Sequence, residues 1–251
     1  MTGPQPKPLN LLFPLRVWLV VLFFVLPASL LVIVLPGQER RRRTARLAGR
    51  FLFRVAGVRL KVEGLHHLPQ SCIVVANHAS YLDGVILTAA LPPRFSFVIK
   101  REITAAPLVG RLLARLGSEF VERFDKKGAH SDASRLIKRA RSGACLGVFP
   151  EGTFKRDPGL RPFHLGAFLT ATRAGLPVAP VVIRGARAIL PAGTWTPRHG
   201  HLEVEVLPAV IPRGRLGEHA RDLRHTVRNH ILKHCGEPDA AESHPPQHAE
   251  Q

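Results

Sequence analysis

Residues Cys72–Ala90 read CIVVANHASYLDGVILTAA, an uninterrupted apolar run, a polar turn, and then apolar residues at helical spacing. Cys72–Ala76 has no polar position to turn toward water, which is the pattern of a strand covered on both faces. The turn Asn77–Asp83 ends that run, and Gly84–Ala90 continues it as a helix. Strand, short turn and helix make up the first part of a parallel crossover unit. The fold class therefore depends on whether this unit recurs along the chain.

It does recur. Strand-like runs occur at Leu60–Glu63, Phe95–Ile99, Glu119–Glu122, Leu146–Phe149, Val178–Ile183 and Leu202–Leu207. Helical periodicity lies between or after them at Leu108–Leu116, Ser131–Arg141, Leu165–Ala174 and Glu218–Lys233. The alternation predicts an α/β domain with a mostly parallel sheet flanked by helices, and a ligand site at the carboxyl ends of the strands. A chain of 251 residues with 45% hydrophobic and 22% charged residues has room for one core and a short appendage, which excludes a wholly disordered or collagen-like chain. The three cysteines, Cys72, Cys145 and Cys235, form no Cys-x-x-Cys pair, so neither a disulfide framework nor a zinc or redox centre is expected, and a reducing compartment fits. From Gly236 the sequence EPDAAESHPPQHAEQ has no core-forming pattern and is expected to be disordered. The expected organisation is an N-terminal membrane anchor with a basic collar over 1–43, the α/β domain over 44–235, and a disordered tail over 236–251.

Val17–Leu35, VWLVVLFFVLPASLLVIVL, has no ionisable side chain. As a helix it would extend about 28 Å, close to the hydrocarbon thickness of a bilayer. A membrane-embedded segment is expected, since the run exceeds an ordinary signal-peptide core and no small-x-small cleavage site follows. Pro27 removes a backbone donor in its middle, which leaves open one kinked span or two short helices in a re-entrant hairpin. Arg40–Arg43, Arg46, Arg50, Arg54 and Arg59 follow, and half of the net charge of +18 lies in the first 60 residues. Such a flank belongs on the cytoplasmic side and attracts anionic lipid headgroups. Leu47, Phe51, Leu52 and Val55 recur at helical spacing, so Thr44–Val58 reads as an amphipathic helix leading into the domain.

Polar residues gather just after the strands. His78 and Asp83 are five positions apart at a strand-to-helix junction, where a turn can bring the carboxylate to one imidazole nitrogen while the other faces substrate. That pairing fixes the tautomer and makes His78 a competent general base. Phe149-Pro150-Glu151-Gly152-Thr153 ends another strand and presents a carboxylate and backbone amides. Arg123 ends the Gly117–Arg123 run, GSEFVER, where an arginine can hold a phosphate bidentately. Leu176–Ile183, LPVAPVVI, opens a buried strand with two prolines.

NHASYLD, GSEFVER, FPEGT and LPVAPVVI, in this order, resemble the four motifs of the 1-acyl-glycerol-3-phosphate acyltransferase family of glycerolipid and lysophospholipid acyltransferases, over about residues 60–210. The resemblance implies a membrane-bound enzyme that moves an acyl chain from acyl-CoA or acyl-carrier protein to the free hydroxyl of a lysophospholipid, without cofactor or metal. It makes His78 the base that deprotonates the acceptor and Asp83 its orienting partner, and attack on the thioester is then direct. Arg123 would bind the acceptor's phosphate, Glu151 and Gly152, with Thr153 beside them, would hold its glycerol portion, and Pro177 would be associated with the acyl donor. Phe154 stands where many members carry Arg or Ser, so a phosphate-binding role there passes to Lys155, Arg156 or Lys100-Arg101. The expected acceptor is 1-acyl-glycerol-3-phosphate, giving phosphatidic acid in a bacterial-type inner membrane; the alternative is another acceptor such as a lyso-ornithine lipid. A lipid hydrolase using Ser80 is the weaker alternative, because the chain lacks a Gly-x-Ser-x-Gly elbow. Nucleic acid is not expected as a partner, since one Tyr and two Trp give few stacking platforms beside the cations.

Overall fold

The computed structural model describes residues 12–122, 126–212 and 217–241. In chain order the helices and strands are α1 (Leu12–Val20), a π-helical turn (Val21–Val25), α2 (Leu26–Val34), α3 (Gln38–Ala56), β1 (Arg59–Glu63), β2 (Ile73–Ala76), α4 (Asp83–Ala90), β3 (Phe95–Lys100), α5 (Pro107–Arg115) and β4 (Glu119–Val121). They continue with α6 (Lys126–Arg141), β5 (Cys145–Val148), α7 (Gly166–Ala174), β6 (Val178–Arg184), α8 (Ala186–Ile189), β7 (His201–Val206) and α9 (Gly217–Cys235).

The strands form one sheet in the order β1-β7-β6-β2-β5-β3-β4. Every pair is parallel except β6 and β7, which run antiparallel. The sheet is thus mixed and mostly parallel, as the alternation predicted. β2 alternates its side chains between two cores. Cys72, Val74 and Ala76 face a cluster with α3 and α4, whereas Ile73 and Val75 face one with α7 and α9. Since β2 lies between β5 and β6, the turn after β2 and the loop after β5 emerge side by side. This brings Asn77–Asp83 next to Phe149–Gly152.

The apolar run forms one helix from Leu12 to Val34, which resolves the choice left open by Pro27. The Pro27 ring would clash with the carbonyl four residues back, at Phe23, in a regular helix. The π turn Val21–Val25 widens the helix at that point, and Leu26 N–H bonds Val21 O instead. A hairpin does form, but between this helix and α3, which packs against α1, the π turn and α2. Both ends of the apolar helix touch the α/β domain. Near its start Arg16 donates to Val55 O, Trp18 Nε1 donates to Trp195 O at 3.1 Å, and the Phe13 ring lies 3.7 Å from His199. At its end Arg115 Nε donates to Ile33 O at 2.7 Å. The helix therefore lies along the domain while most of its apolar surface stays outside the core.

α3 runs unbroken through the expected boundary at 43–44, and much of the arginine collar turns inward. Arg42 donates to Leu116 O, Arg94 O and Ser96 Oγ; its burial lowers the pKa of its guanidinium. Arg46 and Arg50 reach the carbonyls of Ala89 and Ala90 at the C-terminus of α4, where cations offset the helix dipole. The tail also departs from expectation up to Ala241. Glu237 pairs with Arg187 at 2.7 Å, Asp239 pairs with Arg228, and Leu160 N–H donates to Pro238 O at 2.8 Å.

Candidate active site

The site begins with Asn77 at the end of β2. Its side-chain amide donates to Ile183 O at 2.9 Å and accepts from Ile183 N–H at 2.8 Å, standing in for one more residue of the β2–β6 ladder. The chain then leaves the sheet, and Asp83 in the first turn of α4 organises the turn. Asp83 is fully buried, and its Oδ2 accepts from His78 Nδ1 at 2.7 Å, Ala79 N–H at 2.6 Å and Ser80 N–H at 2.9 Å. Three donors on one oxygen fix the carboxylate, and the carboxylate fixes the imidazole. With Nδ1 donating, Nε2 of His78 is left with a free lone pair, the arrangement a general base requires. The ring keeps 18% of its side-chain surface open.

Glu151 lies against the same turn from β5. Its Oε1 accepts from His78 N–H at 2.6 Å and its Oε2 from Arg161 N–H at 2.9 Å. Burial pushes its carboxyl up to about 7; the two backbone donors oppose that shift, and the charges of Asp83 and Glu237 add to it. Both oxygens are thus engaged by backbone, which gives Glu151 a different task from the glycerol contact implied by the resemblance: it holds the His78 peptide. Gly152 has φ of 76° and closes the turn with N–H to Phe149 O at 3.1 Å, a conformation in which a side chain would be strained. Thr153 is exposed beside it.

Phe149 stacks on the His78 ring with centroids 4.4 Å apart, and Phe154 meets the ring edge-on at 4.5 Å. Further rings follow outward. Tyr81 is 4.7 Å from Phe154, Trp195 is 5.6 Å from Tyr81, and Trp18 of the apolar helix is 6.4 Å from Trp195. Aromatic surface is therefore continuous from the base to the N-terminal apolar helix.

Other expected site residues take different places. Ser80 is fully buried, and its hydroxyl donates to Leu190 O at 2.7 Å and accepts from Leu82 N–H. A hydroxyl held this way is not presented to the imidazole, so the hydrolase alternative loses its nucleophile. Arg123 lies outside the described residues; the strand before it is pinned where Asp132 Oδ2 accepts from Glu122 N–H at 2.7 Å. Pro177 accepts from Ile73 N–H at the opposite end of the sheet. It is about 20 Å from His78 by strand rise, too far to contact the reacting atoms. Lys100 and Arg101 do end β3 on the catalytic side, and Arg101 also approaches Asp132 at 3.5 Å.

Two residues outside the motifs also shape the site. Arg187 donates to the carbonyls of Lys155 and Arg156 at 2.7 and 3.1 Å while pairing with Glu237, and Glu237 accepts from Gly159 N–H. They clamp the loop that carries Phe154. Glu237 lies in the segment after Gly236 that lacks apolar periodicity, so its role left no trace in the sequence.

The acyltransferase family model matches residues 59–184, from the first residue of β1 to the last of β6. The chain is 32% identical over 176 residues to the chloroplastic 1-acyl-sn-glycerol-3-phosphate acyltransferase BAT2 of Brassica napus, covering 68% of this chain and 49% of that protein. It is 30% identical to the 1-acyl-sn-glycerol-3-phosphate acyltransferase of Haemophilus influenzae over 72% of this chain and 76% of the relative. Against the human alpha enzyme of the same name it is 31% identical, over 70% of this chain and 63% of that one. The matched region thus spans about half the length of the Brassica protein. The crystal structure of the 1-acyl-sn-glycerophosphate acyltransferase PlsC from Thermotoga maritima superposes with a TM-score of 0.71, covering 89% of this chain and 95% of that one at 24% identity, a likeness of fold. The His78–Asp83 turn and the Glu151 loop both fall inside the region matched by the family model, and the chain belongs to the acyltransferase family.

Proposed function

We propose that the chain transfers a fatty acyl group from a thioester donor, acyl-CoA or acyl-carrier protein, to the free hydroxyl of 1-acyl-glycerol-3-phosphate, giving phosphatidic acid. The observation that carries this reading is the His78–Asp83 pair at 2.7 Å, held at the carboxyl edge of β2 with the far imidazole nitrogen free. An alcohol hydroxyl is too weak an acid to ionise alone near neutral pH, so its proton must leave as the carbon–oxygen bond forms. As the acceptor oxygen attacks the thioester carbonyl, the proton passes to Nε2 of His78, and the buried Asp83 carboxylate stabilises the imidazolium. Collapse of the tetrahedral intermediate breaks the carbon–sulfur bond, and the proton passes on to the departing thiol.

The backbone N–H groups of His78, Ala79 and Ser80 are already engaged by Glu151 and Asp83, so the oxyanion must be met by other donors. Lys100 and Arg101 close β3 on this side and with Arg123 are suited to the acceptor's phosphate, whereas Arg184, which ends β6 there, is paired with Glu203 and Glu205. The substrates are amphiphiles, which accounts for an aromatic path from His78 to a helix whose apolar residues lie largely outside the core. On this reading the apolar helix lies in the membrane, and the domain works on the cytoplasmic side of a bacterial-type inner membrane, as the arginine-rich flank implies.

Phe154 in place of a cation beside His78 favours one alternative, an acceptor other than 1-acyl-glycerol-3-phosphate. The test offers oleoyl-CoA with lysophosphatidic acid, lyso-ornithine lipid and other lysolipids to the detergent-solubilised protein. Phosphatidic acid as the main product supports the primary reading. A different acylated lysolipid replaces the acceptor, and no acylation with either donor class rejects the activity.

A further inference from the structure

Eight arginines lie between Arg40 and Arg59, and the fold uses most of them. Arg41, Arg42, Arg46 and Arg50 bond backbone carbonyls, and Arg43 pairs with Glu39. The side chains of Arg40, Arg54 and Arg59 are exposed and have no hydrogen-bond or ion-pair partner among the described residues. Two of these, Arg54 and Arg59, line one concavity together with Arg50.

That concavity is a groove of about 990 Å³ between the outer flank of α3 and β1, with Phe51, Leu60 and Val62 as its apolar lining. No acid lines it. β1 is the edge strand, paired with β7 alone, so nothing from the sheet covers this side. Phe51 is 44% exposed and its ring lies 5.1 Å from Phe24 in the π turn, which makes the apolar lining continuous with the outer surface of the membrane-type helix.

The topology fixes where this groove opens. β1 is parallel to β7, β7 is antiparallel to β6, and β6 is parallel to β2, so β1 runs opposite to β2. Arg59 at the start of β1 therefore lies at the same end of the sheet as His78 at the end of β2. The two are separated by three strand spacings, about 14 Å. The groove is thus distinct from the base and faces the same side.

We propose that this groove binds one anionic glycerophospholipid of the surrounding bilayer, its phosphate on Arg54 and Arg59 and an acyl chain along Phe51 toward Phe24. Two unpartnered guanidiniums match a phosphate diester, and an apolar wall that leads onto a lipid-facing helix matches its chain. A soluble polyanion such as coenzyme A satisfies the first feature and leaves the second unused. The bound lipid holds the domain with its catalytic edge toward the interface. The proposal rests on the reading of the apolar helix as membrane-embedded.

The test is native mass spectrometry of the full-length protein in detergent, titrated with phosphatidylglycerol or phosphatidylcholine. The expected result is a single tight phosphatidylglycerol adduct on the wild type and weaker phosphatidylcholine binding. In Arg54→Ala/Arg59→Ala the dissociation constant should rise about 25-fold, at about fivefold per arginine. Arg54→Lys/Arg59→Lys should recover most of the affinity, and Arg40→Ala should change nothing. The proposal is overturned by equal affinity in the double alanine variant, by an equal loss in Arg40→Ala, which would mean diffuse attraction only, or by displacement of the lipid by 3′,5′-ADP, which would mark a nucleotide site. The binding is read without turnover, so it stands or falls separately from the acyl-transfer reading. Neither arginine has a partner among the described residues, so an unchanged melting temperature in both double variants confirms that they are folded.

Discussion

The turn after β2 and the loop after β5 meet at the same imidazole, yet they are built in opposite ways. The bonds that shape the β2 turn to Asp83 join residues within five positions of one another. The loop carrying Phe154 is held by Arg187 and by Glu237 and Pro238 of the C-terminal segment, tens of residues away. The Asp83 bonds are local and can be read from spacing, although the same turn is also tied to Ile183, Glu151 and Leu190. The hold on the Phe154 loop exists only after the whole sheet and α9 have formed.

The largest way to break this comparison is Asp83→Asn. An amide oxygen in place of Oδ2 can accept the same three bonds but carries no charge to stabilise the imidazolium, and an amide NH2 turned toward Nδ1 would fix the wrong tautomer. Acyl transfer should fall by about three to four orders of magnitude in kcat with a smaller change in KM. A loss below tenfold would mean that the turn is set from elsewhere.

Glu151→Gln probes the join between the two regions. The carboxyl of Glu151 is raised from its ordinary 4.5 to about 7 in the folded protein, so the native state holds this proton more tightly than the unfolded chain. Stability from that proton is complete below about pH 4.5 and is lost as the pH rises through 7. The unfolding free energy of the wild type should therefore fall relative to Glu151→Gln across that window, by at most about 3 kcal/mol. Denaturant titrations of both proteins in detergent at pH 4.5, 6 and 7.5 check this, and parallel curves would contradict it.

Glu237→Ala tests the long-range clamp. Both partners are largely buried, with 18% of each side chain exposed, so the variant should lose about 2 kcal/mol of stability and about tenfold in acyl-transfer rate. Arg187→Ala should do the same, and the double variant should cost little more than either single one. Additive losses would show that the two residues act separately. The smallest effect is expected for Ser80→Ala, which removes the hydroxyl's bonds to Leu190 O and Leu82 N–H at a cost of about 1 kcal/mol and should keep activity within a few-fold. Complete loss in a folded Ser80→Ala protein would revive a covalent route.

The same contrast explains which parts of the molecule the sequence revealed. Ile73–Ala76 and Val178–Ile183 are buried stretches whose unbroken apolar runs have few other uses, and both strands were expected to within a residue or two. The reversal of β7 was not visible, because parallel and antiparallel partners impose the same alternation on His201–Val206. Pro27 signalled a break but not its remedy, since the π turn that absorbs it lies in residues with no distinctive side chain. Arg42 was expected in a collar that attracts anionic headgroups, and only the position of β3 and the chain after α5 shows that it bonds the carbonyls of Arg94 and Leu116. Glu151 was expected to hold the acceptor's glycerol portion, and in the structure its two oxygens accept from the N–H groups of His78 and Arg161. Its partners are backbone N–H groups, which every residue has, so no sequence pattern could name them.

The central claim, that His78 is the base of a direct transfer, is tested most directly by initial rates of acyl transfer for wild type and His78→Ala at saturating oleoyl-CoA and lysophosphatidic acid. The account predicts that phosphatidic acid forms with the wild type and falls at least a thousandfold with a folded His78→Ala protein. Comparable rates from the two proteins would contradict it.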